Sequence, residues 1–186
     1  SSSPYFCPTN NVQMNADGVA QFILPAGVDP GPTKGPELLS TYYQYGTFKA
    51  RLKTGNCTEN TANTGVVTGF FTYFRDGTDQ NGNGIPDNSE IDFEWLCAEP
   101  GVVYLSMYTD YEENPDGSML HRRQLLRVID LVHGQIRKTV YREDSVETNL
   151  TDPSENFPSS ISGMPIPYNS NTSFYEYGFS WASSRV

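Results

Sequence analysis

The chain has 186 residues, about one domain's worth: enough for a single sizeable core and too few for two. Its 12 Lys and Arg stand against 22 Asp and Glu, a net charge of −10 with a pI near 4.5, which repels polyphosphate and anionic headgroups and excludes nucleic acid and membrane surfaces as partners. No run of about 18 apolar residues is present that could cross a bilayer as a helix.

Along the chain, apolar and polar residues alternate in short runs broken by Gly, Pro and Asn. They stand at VAQFIL (19–24), GTFKARLK (46–53), GVVTGFFTYF (65–74), SEIDFEWL (89–96) and GVVYLSMYT (101–109). QLLRVIDL (124–131), QIRKTVYR (135–142) and SFYEYGFSW (173–181) continue the series. A period of two repeated at these intervals predicts a single all-β domain over 1–186, a sandwich or barrel. Only MLHRRQLLRVIDLV (119–132) has a helical look, and its β-branched end leaves strand and helix both open. Residues 143–172, rich in Ser, Pro and Asn, read as one long surface loop. The 12 Tyr and 10 Phe are expected to fill a β-rich core, with a few lining a cleft for flat ligands such as sugar rings.

The segment NSEIDFEWL (88–96) carries the chemistry. In an extended strand Glu90, Asp92 and Glu94 share one face while Ile91, Phe93 and Trp95 share the other. Like charges two residues apart repel, and nothing basic within the strand compensates them, so a merely solvated outer strand explains the row poorly. Two carboxylates flanking a glycosidic bond can cleave it, one as nucleophile and one as proton donor, and a third between them pushes their pKa values apart. On a flat strand residues four apart have Cα atoms roughly 13 Å from each other. Carboxyl groups about 5 Å apart, as retention requires, therefore demand a concave strand with inward-leaning side chains.

EIDFE at 90–94 resembles the Glu-Ile-Asp-x-Glu signature of glycoside hydrolase family 16, which optionally has one more residue before the last Glu. YYQYGTFKARLKTG (42–55), TGVVTGFFTYF (64–74) and YEYGFSWASSRV (175–186) resemble other family strands, so the likeness covers about Glu37 to Val186. It implies a β-jelly-roll with a concave glycan cleft, and an extracellular retaining endo-acting hydrolase of β-linked glucan. By position Glu90 matches the nucleophile, Glu94 the general acid/base and Asp92 the acid that modulates them. The unbulged strand resembles lichenases, xyloglucan endotransglycosylases and fungal wall transglycosylases more than the bulged 1,3-glucanases. The resemblance also puts Phe71, Tyr73, Tyr108 and Ser106 on the cleft and Glu37 near the donor subsite. Ser106 and Leu39 stand where lichenases resemble one another in having Asn and Arg. A transglycosylase, or a glycan-binding protein without chemistry, is the alternative reading.

After the segment that resembles GFSW (178–181) the family has further strands and a cleft Trp. The expectation is that the chain is a fragment or that a second polypeptide completes the sheet. The resemblance also implies antiparallel pairing of 64–74 with 89–96, which brings Cys57 near Cys97 and predicts a disulfide between them, leaving Cys7 over. With no Cys-x-x-Cys spacing and only His121 and His133 besides, zinc is not expected. The two histidines, and the basic stretch HRRQLLR (121–127), read as surface groups.

Residues 79–90, DQNGNGIPDNSE, match a calcium-loop pattern, with Asp79, Asn81, Asn83 and Asp87 as oxygen donors. The twelfth position is Glu90, and a carboxylate chelating Ca²⁺ through both oxygens has none left for an anomeric carbon. The catalytic reading is the better supported. It needs no cofactor, and it leaves the loop as an Asn/Gly/Pro turn or as a partial structural Ca²⁺ site closed by Asp87 or water. A calcium-stabilised adhesion module would instead require Glu90 as a ligand. SSSPYFCPTN, which lacks signal-peptide character, and the sequons at Asn56, Asn149 and Asn171 predict a mature secreted glycoprotein, extracellular or in a cell wall.

Overall fold

The structure, a computed structural model, describes residues 11–23, 35–56, 66–113, 119–155 and 167–183. They fall into two compact units: residues up to Gly46 together with Ala182 and Ser183, and the stretch Thr47–Trp181. In the first unit β1 (Val12–Met14) and β2 (Ala20–Phe22) form an antiparallel pair. The side chain of Asn15 accepts hydrogen bonds from the backbone N–H groups of Asp17 and Val19, and Gly18 supplies the positive φ that closes the turn.

The second unit holds β3 (Gly46–Leu52, from Thr47 on), β4 (Val67–Arg75), β5 (Asn88–Leu96), β6 (Val102–Glu113) and β7 (Met119–Asp130). It also holds β8 (Gln135–Glu143), β9 (Val146–Asn149) and β10 (Tyr175–Trp181). Strands β4 to β9 form one six-stranded antiparallel sheet in sequence order, and β10 pairs with β3 in a second, two-stranded sheet. This is the all-β sandwich expected from the period of two, and the described residues include no α-helix.

Between the two sheets lies an aromatic core. Trp95, Val103, Tyr168, Tyr175 and Tyr177 are buried there, with Leu52, Phe70, Phe93, Leu105 and Leu131 packed around them. The fully buried indole of Trp95 donates to the Tyr168 hydroxyl at 3.1 Å, which in turn shares a 2.6 Å hydrogen bond with Tyr177. Three polar tips are thereby satisfied inside an apolar layer. Gly178 lets β10 approach β3: a Cβ there would meet the Phe48 carbonyl oxygen at 2.7 Å. Trp95 and Phe93 anchor one face of β5 in this core, which commits Glu90, Asp92 and Glu94 to the other.

One open reading is settled and one expectation is corrected. The segment with the helical look is strand β7, hydrogen-bonded on both sides to β6 and β8. Two ladders satisfy its backbone, and that tertiary pairing overrides a weak helical preference. The long loop expected over 143–172 contains β9, formed by a tight turn in which Asp144 takes a left-handed φ of 51°. Its residues 156–166 lie outside the described residues.

Cys97 is buried and disulfide-bonded; its expected partner Cys57, like Cys7, lies outside the described residues. Of the sequon asparagines, Asn56 and Asn149 are exposed, whereas Asn171 is only 9% exposed. His121 and His133 are surface residues, each in contact with an aspartate, Asp144 and Asp130 respectively.

Candidate active site

Register across the sheet fixes what surrounds the three acids. Tyr73 of β4 and Tyr108 of β6 flank Glu90; Phe71 and Ser106 flank Asp92; Gly69 and Tyr104 flank Glu94. Directly paired residues project to the same side, so these nine positions form a three-by-three patch with the carboxyl groups along its middle column. Asp92 and Ser106 are buried, and Phe71 and Tyr73 are 42% and 49% exposed. Two open aromatic faces thus border a desolvated acid row, the arrangement that stacks a sugar ring against a polar reaction centre. On the β4 side of Glu94 the sheet carries no side chain, and the Phe71 ring leans over the gap: a Cβ at Gly69 would lie 3.4 Å from it.

Burial governs the electrostatics of the row. It raises the pKa of Asp92 to about 8, with the charges of Glu90 and Glu94 and a hydrogen bond to Glu90 pushing the same way. Glu90 is raised by burial and by the charge of Glu94, but the hydrogen bond from Asp92 pulls it back. Glu94 is raised by burial. At neutral pH Asp92 therefore keeps its proton and donates it in a hydrogen bond to the Glu90 carboxylate. The hydrogen bond from Asp92 favours the ionised form of Glu90, whereas burial with no such partner favours the protonated form of Glu94, a difference of the kind that paired-carboxylate chemistry requires.

Tyr108 extends this environment. Burial raises its phenol pKa, as do the charges of Glu94 and Asp92, while a hydrogen bond from Ser106 opposes the rise. Two residues missed in the sequence stand behind it. Gln124 of β7 donates through Nε2 to the Tyr108 hydroxyl at 2.6 Å and to Ser106 Oγ at 3.3 Å, and Arg142 of β8 donates through Nη1 to Gln124 Oε1 at 3.0 Å. Asn88, one pleat before Glu90, is also buried on this face; its Oδ1 accepts from the Tyr111 N–H and its Nδ2 has no hydrogen-bond partner among the described residues. No signal in the isolated runs marks these residues, because only the pairing register brings them to the acids.

The other expected residues belong to other segments of the chain. Glu37 lies in irregular chain of the first unit. Asp79, Asn81, Asn83 and Asp87 sit together in the loop entering β5, and their oxygens serve the loop's own donors. Asp79 accepts from the N–H groups of Asn83 and Gly84, Asn81 from Asn83, Asn83 from Ile85, and Asp87 from Gln80 N and Asn81 Nδ2. Asn83 Nδ2 and Arg123 reach Asp110 at 3.2 and 2.7 Å. Asp110 is a buried residue with a φ of 49° at an irregularity of β6, and these contacts fasten the loop to the sheet. Among the described residues no group of three or more His, Cys, Asp or Glu side chains is placed to hold a metal ion.

A family model described as "Glycosyl hydrolases family 16" matches residues 6–125. The match takes in the whole acid strand, Tyr73, Ser106, Tyr108 and Gln124; it begins nearer the N-terminus than the likeness read from the strand motifs and ends within β7, short of β10. No curated protein and no solved structure matches the chain.

Proposed function

We propose that this chain, which belongs to glycosyl hydrolases family 16, cuts β-linked glucan internally with retention of anomeric configuration. The observation that carries the reading is the row Glu90–Asp92–Glu94, desolvated on one face of β5 and bordered by the exposed rings of Phe71 and Tyr73. A Glu90 oxygen attacks the anomeric carbon as Glu94 passes its proton to the departing glycosidic oxygen. Glu94, now a base, removes a proton from water, which attacks the same carbon and frees Glu90. Nucleophile, acid and base are all carboxyl groups, so the proposed steps require no cofactor.

A sugar hydroxyl in place of water would make the same centre a transglycosylase. The experiment that tests the reading measures products from mixed-linkage, 1,3-linked and xyloglucan substrates, with proton NMR of the first anomers formed. Fresh β-anomers and falling chain length support a retaining endo-hydrolase; longer products on adding oligosaccharide acceptor redirect it to transfer. Folded protein that leaves every glucan intact overturns it in favour of glycan binding.

We also propose an extracellular or cell-wall location, supported by the disulfide at buried Cys97 and the exposed sequon asparagine Asn149. The partner of Cys97 is proposed to be Cys57. Val67 pairs with Leu96, and Cys97 N–H donates to the Val66 carbonyl at 3.1 Å, so Val66, immediately before β4, lies beside Cys97. Non-reducing peptide mapping is expected to recover the 57–97 cross-link, and a 7–97 cross-link would refute it.

A further inference from the structure

One cross-strand row spans the whole six-stranded sheet: Tyr73, Glu90, Tyr108, Gln124, Arg142 and Glu147 are paired in turn from β4 to β9. From Tyr108 outward it is joined by hydrogen bonds. Gln124 Nε2 donates to the Tyr108 hydroxyl at 2.6 Å, Arg142 Nη1 donates to Gln124 Oε1 at 3.0 Å, and Arg142 Nε donates to Glu147 at 2.7 Å. Lys138 holds the other Glu147 oxygen at 2.9 Å.

The direction of this chain follows from chemistry. A guanidinium only donates, so the Gln124 oxygen must face Arg142 and its NH₂ must face Tyr108 and Ser106. Gln124 is 3% exposed and Ser106 2%, which leaves little room for water to scramble the arrangement. The Tyr108 oxygen thus accepts from Gln124, which also occupies Ser106 Oγ, and its own proton is left for the side on which Glu90, Asp92 and Glu94 stand.

We propose that Gln124 is a positioning residue for the reaction: locked by Arg142, it holds the Tyr108 hydroxyl so that its proton is directed at the carboxylate row. The inference rests on the hydrolase reading for its catalytic meaning, but the positioning itself is a property of the folded protein. Aimed this way, the phenol is a fixed donor that favours the ionised form of the nearest carboxylate. Charged and titratable groups at the same-face positions of this sheet, among the described residues, are Tyr73 and Arg75 on β4, the three acids on β5, Tyr104 and Tyr108 on β6, Arg122 and Asp130 on β7, Lys138 and Arg142 on β8 and Glu147 on β9.

The test is a carboxyl ¹³C NMR titration of wild type, Gln124→Met, Tyr108→Phe and the double variant, beside the pH profile of kcat/KM. Gln124→Met is expected to raise the apparent pKa of the acid set by roughly one unit. Tyr108→Phe should raise it similarly, and the double variant no further, because Gln124 acts through the phenol. The acidic limb of kcat/KM should move by the same amount. A titration unmoved by Gln124→Met, or moved equally in the Tyr108→Phe background, overturns the proposal.

Should Gln124→Met fail to fold, Gln124→Glu keeps the Arg142 partner and accepts the phenol proton instead of donating. The part of its shift that disappears in the Tyr108→Phe background then measures the positioning, and no such part refutes it. Absence of activity in the wild type counts against the hydrolase reading alone, since the titration reads Gln124 without turnover.

Discussion

Glu90→Gln is expected to lower kcat/KM on the preferred glucan roughly 10⁴-fold or more, the cost of removing a nucleophile whose attack defines the pathway. The fold should survive, because the amide is isosteric and Asp92 can still donate to its oxygen. Glu94→Gln is expected to behave differently, and the contrast assigns the two roles. On natural glucan, where the departing sugar needs a proton, general acid catalysis of about 10²–10⁴-fold should be lost. On an aryl glycoside with an acidic phenol as leaving group, the first step needs no proton and should remain fast, so that glycosyl-enzyme accumulates as a burst. Added azide should then rescue Glu94→Gln by attacking that intermediate, giving a β-glycosyl azide. With Glu90→Gln it should attack substrate directly and give the α-anomer. Interchanged anomers would exchange the roles of Glu90 and Glu94, and equal losses on both substrates with no rescue would remove Glu94 from proton transfer altogether.

The acid row was legible in the sequence because strand periodicity is local. Three acids at alternate positions opposite Ile91, Phe93 and Trp95 place themselves on one face of any extended segment, and the core residue Trp95 decides which face that is. Phe71, Tyr73, Ser106 and Tyr108 are cross-strand partners, and they were found through the family likeness, which carries a register with it. Gln124, Arg142 and Glu147 lie two to four strands from the acids. Reaching them requires a register that is maintained past irregularities at Thr109/Glu112 and Val128/Ile129, and alternation alone does not encode those shifts. β9 escaped for a related reason. It is a short edge strand exposed on both faces, so it has no apolar alternation and is composed like a loop. The strand β7 was ambiguous because Leu, Arg and Gln suit a helix as well, and only its two neighbours decide.

Unfolding stability is expected to fall as pH rises from about 4 to about 8, and Asp92→Asn is expected to remove most of that fall. Burial and the charges of Glu90 and Glu94 raise the Asp92 pKa to about 8 in the folded chain, against an ordinary value near 3.8. Between these values the folded state binds more protons than the unfolded one, so unfolding gains ground with each rise in pH; below the lower value both states are protonated and the penalty is absent. The contribution is on the order of 2 kcal/mol at pH 8 once partial solvent screening is allowed for. Urea titrations at pH 4, 6 and 8 should therefore show wild type and Asp92→Asn nearly equal at pH 4 and the variant more stable at pH 8. Equal stability at every pH would mean that Asp92 is ionised in the folded chain. Catalysis should move the opposite way. Asn still donates to Glu90, so the first step keeps its oriented nucleophile, but it has no proton to give up. Once Glu90 is esterified its charge is gone, and Asp92 can ionise beside Glu94 and strengthen it as the base that activates water. Asp92→Asn forfeits that exchange, and the release of glycosyl-enzyme is expected to slow by about 10²-fold, with the first step less affected. A residue that stabilises the fold when neutralised and slows the second step when it is fixed neutral is placed for function at the expense of stability, and the two measurements together separate that role from a purely structural one.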